Sequence, residues 1–302
     1  MKVNMSKKDI VKNIDKIDEE ENSPVKVPPI KIQGIKTKLV PFIFSSFKWD
    51  GEGRWVEPFL GSGVLLFNLQ PQRALIADNN KHIIAFYQKV QSGEITPQIV
   101  KEFLEKEGAL LEKLGGHHYY EIRKRFNKTG DSLDFLFLNR ACFNGVMRFN
   151  NKGGFNVPFC NKPTRFRQAY ITKICNQVKW VASVMKGKDW EFKVQNWEDT
   201  LSNLNENDFV YLDPPYVGRH ADYFNKWQDI HAEQLADAVK NLPAGFAYSM
   251  WKKNSYRENE HLIKHFSEFT CLTFDHFYHV GSKESLRNAM EEGLIISSKN
   301  LK

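Results

Sequence analysis

Asp213-Pro214-Pro215-Tyr216 is the segment whose residue types and order most directly imply chemistry. Two prolines fix φ and remove two N–H donors, so no hydrogen-bonding strand continues through it. The turn therefore presents a carboxylate, a bare Pro214 carbonyl and an aromatic ring together. Those parts suit a planar exocyclic amine: two acceptors for its two N–H bonds and a face to stack on. An aryl amine is a poor nucleophile because its lone pair is delocalised into the ring. Drawing both N–H bonds toward acceptors lets the nitrogen turn pyramidal and aim that lone pair at an electrophile. A second group lies upstream, at Phe59-Leu60-Gly61-Ser62-Gly63. Glycine there permits positive φ and close approach of a ligand to the backbone. The turn lacks the Lys-Ser/Thr of a triphosphate-binding loop and the third glycine of a dinucleotide fingerprint. Asp78 follows about one βα unit later, where a carboxylate can accept from ribose hydroxyls or cap the next helix. With the Gly turn before it, Asp78 points to a nucleoside-containing ligand.

These groups need elements to hold them. Short β-like runs at Arg54–Pro58, Ala74–Ala77, Phe209–Leu212 and Phe246–Met250 alternate with helical stretches such as KHIIAFYQKVQ and HAEQLADAVKNL. That alternation predicts an α/β protein with a parallel sheet. Ligands bind such sheets at the carboxyl ends of the strands, and the Gly turn, Asp78 and Asp213–Tyr216 each follow a strand. The middle differs: residues 88–140 are helical and charged, and Val146–Phe149 and Phe155–Phe159 read as two short strands around a Gly-containing turn. The division is a flexible tail at 1–26, a sheet domain at 27–87 and 170–302, and an inserted lobe at 88–169. Ile10, Ile14 and Ile17 share a helical face in the tail, but a frayed, solvated segment is the expectation there.

Composition bounds the class. The 302 residues are 41% hydrophobic and 26% charged, which excludes fibrous and wholly disordered chains and leaves room for one large domain or two modest ones. No apolar run approaches the roughly 18 residues of a membrane span, and the N-terminus has no signal-like apolar stretch. A soluble, cytoplasmic protein is expected. Cys142, Cys160, Cys175 and Cys271 form no CxxC pair, and His117, His118 and His220 have no HExxH or Cys/His quartet beside them. Neither a disulfide framework nor a metal site is expected. The net charge of +7 is a weak argument for a polyanionic partner.

The order VEPFLGSG, IADNN and YLDPPY, with a long insert before the last, resembles the Dam-type N6-adenine DNA methyltransferases. The segments Asn139–Arg148 and Gly154–Phe159 resemble that family's recognition hairpin. The resemblance runs from about Pro28 to Ile296. It implies a Rossmann-like S-adenosylmethionine-dependent methyltransferase sheet carrying a helical plus β-hairpin target-recognition domain. The implied activity is methyl transfer from S-adenosylmethionine to N6 of an adenine flipped from double-stranded DNA. The alternatives are a methyltransferase acting on another planar amine (RNA adenine, cytosine N4 or protein glutamine) and a catalytically inactive DNA-binding module.

Carried over by position, Pro58, Phe59, Gly61 and Gly63 line the cofactor pocket and Asp78 holds its ribose. Lys36, in the segment Lys31–Lys36, pairs the cofactor's carboxylate; the family usually has Trp where Ile32 stands and a second Gly at Ile35. Asn196-Trp197 falls where the family commonly has an acidic residue and an aromatic near the cofactor's adenine. Asp213 and Pro214 polarise the target amine, Pro215 completes the motif, and Tyr216 stacks on the base. Asn144, Arg148, Lys152, Arg165 and Arg167 are the DNA contacts implied in the insert. The arginines either read guanine O6/N7 or clamp phosphates, and Lys152 sits on a phosphate or in solvent. Members that methylate GATC typically have Gly-Arg-Tyr-Lys after the Pro-Phe, whereas this chain has Cys160-Asn161-Lys162-Pro163. A late loop, His279–Arg287, offers Lys283 and Arg287 to the DNA strand. A monomer suffices for one adenine, and the resemblance leaves room for a cognate restriction endonuclease.

Overall fold

The computed structural model describes residues 24–216, 227–254, 257–277 and 289–302. Ile10, Ile14 and Ile17 of the tail, His220, and the loop carrying Lys283 and Arg287 lie outside these residues. In chain order the elements are α1 (Val40–Ser46), β1 (Trp55–Glu57), α2 (Val64–Leu69), β2 (Arg73–Asp78) and α3 (Lys81–Ser92). Four helices follow: α4 (Pro97–Leu114), α5 (Gly116–Thr129), α6 (Ser132–Ala141) and, after the hairpin region, α7 (Gln168–Met185). The chain then returns through β3 (Asp189–Val194), α8 (Trp197–Leu201), β4 (Phe209–Leu212), α9 (Asp229–Lys240) and β5 (Gly245–Asn254). It closes with α10 (Glu260–Phe266), β6 (Thr270–Phe277) and β7 (Ala289–Ile296).

The strands form one sheet in the order β3-β2-β1-β4-β5-β7-β6. The first five run parallel, while β7 is antiparallel to both β5 and β6. Strand order reverses direction between β1 and β4, which makes their carboxyl ends the crevice of the sheet. Both strands are buried at every residue, as central parallel strands are, and only Glu57 among them is charged. Trp55 stacks on Phe209 with ring centroids 5.5 Å apart, and Phe47 lies 4.5 Å from Phe209 on the same face. Side-chain caps fix the helix starts: Asn80 accepts from the His82 amide, Thr96 from Ile99, and Asp131 from Leu133 and Asp134.

The hairpin is present but is not a pair of strands. Its arms pair as backbone only at two isolated bridges, Phe149 with Phe155 and Cys142 with Phe159. The reason lies in where its backbone groups go. Asn127 brackets Phe155 through both its amide atoms, Tyr119 donates to the Val157 carbonyl at 2.9 Å, and Asn150 accepts from the amides of Lys152 and Gly154. Side chains of α5 and of the turn thus satisfy groups that a ladder would otherwise pair. Beneath, Phe126, Phe135, Phe155 and Phe86 join one hydrophobic core with Ile76 and Trp55 of the sheet. The insert is therefore packed onto the sheet and has no separate core. Among the described residues no helix is long and apolar enough to cross a membrane.

Candidate active site

β1 ends in a turn that backbone geometry restricts to glycine. Gly61 and Gly63 have φ of +54° and +74°, and a Cβ on Gly63 would stand 2.7 Å from the Phe67 ring. Asp78, at the end of neighbouring β2, clamps that turn. One carboxylate oxygen accepts the Gly61 amide at 2.9 Å, and the other accepts the Asn80 amide at 2.8 Å. The buried Tyr87 hydroxyl supports the turn from below, donating to the Ser62 carbonyl at 2.6 Å. Burial pushes the Asp78 carboxyl above the usual range, against the pull of these two amides. Each oxygen spends one of its two lone pairs here, so the half-buried carboxylate keeps acceptor capacity.

Asp213 stands just past β4, the strand beside β1. Its Oδ1 lies 3.1 Å from Lys36 Nζ, and the Lys36 ammonium also donates to the Gly34 carbonyl at 3.3 Å. The same ammonium sits 4.8 Å from the centre of the Tyr216 ring. Tyr216 is tethered at its other end, where its hydroxyl donates to Glu292 on β7 at 2.6 Å. Among the described residues Asp213 Oδ2 and the Pro214 carbonyl have no hydrogen-bond donor, and the Asp213 side chain is 24% exposed. Desolvation raises the Asp213 pKa, Lys36 opposes that by charge and hydrogen bond, and Glu292 adds to the rise.

Three of the expected residues, Lys36, Asp213 and Tyr216, thus form one cluster. Gly61 and Asp78 form a second, and adjacency of β1 and β4 opens both at one sheet edge. Pro58 is buried in the turn, and half-buried Phe59 meets Trp227 edge-on at 5.7 Å. Asn196 caps α8 by accepting the Asp199 amide at 2.8 Å, and Trp197 is buried among Val56, Leu75 and Leu201. Lys36, expected at the cofactor's carboxylate, is found on the Asp213 carboxylate.

The insert residues divide by exposure. Asn144 is exposed with φ of +53°, and Lys152 is exposed at the hairpin turn. Arg148 Nε donates to Asn156 across the hairpin at 2.9 Å. Arg167 is exposed where α7 begins. Arg165 is held: Nε donates to the Arg140 carbonyl at 2.7 Å, Nη2 to the Tyr170 hydroxyl at 2.9 Å, and the guanidinium lies over the Tyr170 ring.

Sequence reasoning missed two acids. Glu57 is 2% exposed, accepts from Trp55 Nε1 at 2.6 Å, and has its pKa pushed up to about 8 by burial, with the Asp213 charge adding to the rise. Glu292 is 1% exposed and anchors Tyr216. The signal available for Glu57 was a lone glutamate in an otherwise apolar strand, whereas Glu292 follows Glu291 in β7 and carried no such signal.

The glycine turn with Asp78, and Asp213 with Lys36 and Tyr216, lie at the switch point of a doubly wound α/β sheet, the place where proteins of this class bind their ligands. More specifically, the chain belongs to the D12 class N6 adenine-specific DNA methyltransferase family, whose model matches residues 33–280. The DNA adenine methylase of Vibrio cholerae serotype O1 is 34% identical over 166 residues, 54% of this chain and 56% of that protein. That of Escherichia coli is 29% identical over 199 residues, covering 61% of this chain and 66% of its own length. The chain thus spans little more than half the length of the first of these relatives. Among solved structures, the rRNA methyltransferase aviRa from Streptomyces viridochromogenes covers 92% of both chains at 12% identity and a TM-score of 0.37, too loose a likeness to bear on function.

Proposed function

We propose that this chain transfers a methyl group from S-adenosylmethionine to N6 of an adenine flipped out of a specific sequence in duplex DNA. The observation that carries the reading is the Asp213 carboxylate, with one oxygen held by Lys36 and the other open beside the bare Pro214 carbonyl. Two acceptors at the end of β4 match the two N–H bonds of an exocyclic amine. Tyr216, fixed by Glu292, supplies the ring on which the base stacks.

The residues of the second cluster fit the cofactor. Asp78 has acceptor capacity for ribose hydroxyls, and Gly61 and Gly63 leave their turn without side chains where the nucleoside approaches. Pro58 and Phe59 complete the wall, and Asn196 and Trp197 stand toward the adenine. When bound, S-adenosylmethionine supplies an electrophilic methyl group on a sulfonium. Asp213 and Pro214 orient the amine and release its lone pair from conjugation. After transfer the nitrogen carries one proton too many, and Asp213, whose carboxyl is already raised by burial, accepts it. Lys36 keeps that carboxylate ionised and aimed before substrate arrives. No covalent bond to the enzyme is needed.

The lobe at 88–169 contacts the DNA, through Asn144, Arg148 and Lys152 of the hairpin and Arg165 and Arg167 beyond it, while 27–87 and 170–302 hold the chemistry. The enzyme acts as a monomer in the cytoplasm, where its cofactor and genomic DNA are found, alone or beside a restriction endonuclease of the same specificity. Expression in a host without adenine methylation, followed by sequencing that detects N6-methyladenine, tests this. A single modified sequence motif supports it. Modified cytosine, or none in cells that make the folded protein, overturns it.

A further inference from the structure

Residues 135–188 hold ten of the chain's 43 Lys and Arg and none of its 36 Asp and Glu. Outside that stretch the acids outnumber the bases, so the whole positive excess belongs to the hairpin and the helix after it. Two of these cations, and a third from outside the stretch, converge on one ring. Around Tyr170 the Arg165 guanidinium lies 4.5 Å from the ring centre, Arg140 at 5.1 Å, and Lys31 Nζ, arriving from the N-terminal segment, at 5.9 Å. No carboxylate pairs with any of the three among the described residues. Their partners are neutral instead: the Arg140 carbonyl and Tyr170 hydroxyl for Arg165, and Gln177 for Arg140 at 2.7 Å.

Arg140 is 2% exposed, and among the described residues its Nε has no hydrogen-bond partner. A buried cation is ordinarily matched by an acid, because an uncompensated charge in a poorly solvated place is costly. Burial accordingly pushes the Arg140 and Lys31 pKa values down. In front of this group is an open cleft of about 590 Å³, lined by Lys162, Thr164, Arg165, Arg167 and Tyr170 among others. The first turn of α7 borders it, where the Gln168 and Ala169 amides make no backbone hydrogen bond among the described residues.

We infer that this cleft is a phosphate seat: Arg167, Lys162 and the first amides of α7 take one backbone phosphodiester of the polynucleotide, over the fixed charges of Arg165, Arg140 and Lys31. The inference rests on the reading that DNA is the substrate and assigns Arg165 and Arg167 to the backbone, leaving base readout to the hairpin. Arg165 suits that role because its hydrogen bonds already fix it to Arg140 and Tyr170, so it is not free to follow a base edge. The seat registers the duplex at the foot of the hairpin without regard to sequence.

The test uses the full chain and fluorescence anisotropy on labelled duplexes of several sequences, from low to high salt. Lys162 and Arg167 are exposed, so Lys162→Gln with Arg167→Gln should leave folding intact, which circular dichroism checks. The double variant should weaken binding equally on every duplex and lower the slope of log K against log salt by about 1. Tyr170→Phe, which frees Arg165 from its hydroxyl, should weaken binding in the same sequence-independent way. Unchanged slope and affinity in the folded double variant, with the wild type binding, overturns the seat and leaves the substrate reading standing. Loss confined to duplexes with one particular base makes these residues base readers and also overturns it. Thermal stabilisation by inorganic phosphate that the double variant lacks, without any change toward DNA, makes the cleft a free-phosphate site. Failure of the wild type to bind any duplex overturns the substrate reading itself.

Discussion

Replacing Glu57 by Gln keeps the shape of a buried side chain and removes its ability to ionise. The Glu57 carboxyl, at 2% exposure beside Asp213, has its pKa pushed up from 4.5 to about 8. A raised folded-state value means that the native chain binds this proton more tightly than the unfolded chain does. The stabilisation is complete below about pH 4.5 and is lost progressively as pH climbs toward and through about 8. Between pH 6 and pH 8.5, linkage for this one group amounts to roughly 2 to 3 kcal/mol of lost stability. In Glu57→Gln the amide oxygen still accepts from Trp55, and the loss disappears. Urea unfolding at both pH values reads the difference directly, because every other titrating group cancels between the two proteins. The variant should gain about 2 to 3 kcal/mol on the wild type over that interval. Parallel stability curves would refute the reasoning, since they would mean that Glu57 titrates alike in the folded and unfolded chains.

Lys36→Met removes the cation that opposes the rise in the Asp213 pKa. The acid limb of the methyl-transfer pH profile should move to higher pH, whereas an unmoved limb with lost cofactor affinity would place Lys36 on the cofactor instead. Asp78→Ala removes the acceptor for the Gly61 and Asn80 amides. Cofactor affinity measured by calorimetry should fall at least about tenfold, in line with roughly 1.5–3 kcal/mol for a hydrogen bond to a charged group, while duplex binding changes little.

Much of this site was legible because its residues are punctuation. Asp213-Pro214-Pro215 cannot continue a strand, and Gly61 and Gly63 mark a left-handed turn, so both announce themselves locally. The central strands were readable as apolar runs, since a strand buried on both faces has no polar alternation to hide it. β3 was not, because at the sheet edge Asp189-Trp190-Glu191-Phe192 buries only its alternate residues and carries charge between them. The hairpin was placed correctly but given strands it lacks, since Asn127 and Tyr119, far back in sequence, take its backbone groups. The contact of Lys36 with Asp213 was also out of reach, since nothing in its local motif shows that its ammonium sits on a carboxylate far along the chain.

The central claim is that the Asp213 carboxylate turns an adenine amine into a nucleophile. Its most direct test supplies S-adenosylmethionine carrying a labelled methyl group and duplex DNA to the wild type and to Asp213→Ala, then separates the nucleosides. The account predicts label in N6-methyladenine from the wild type. From the variant it predicts a loss of at least about a thousandfold, with cofactor binding retained. Label in cytosine, or full transfer by Asp213→Ala, would contradict it.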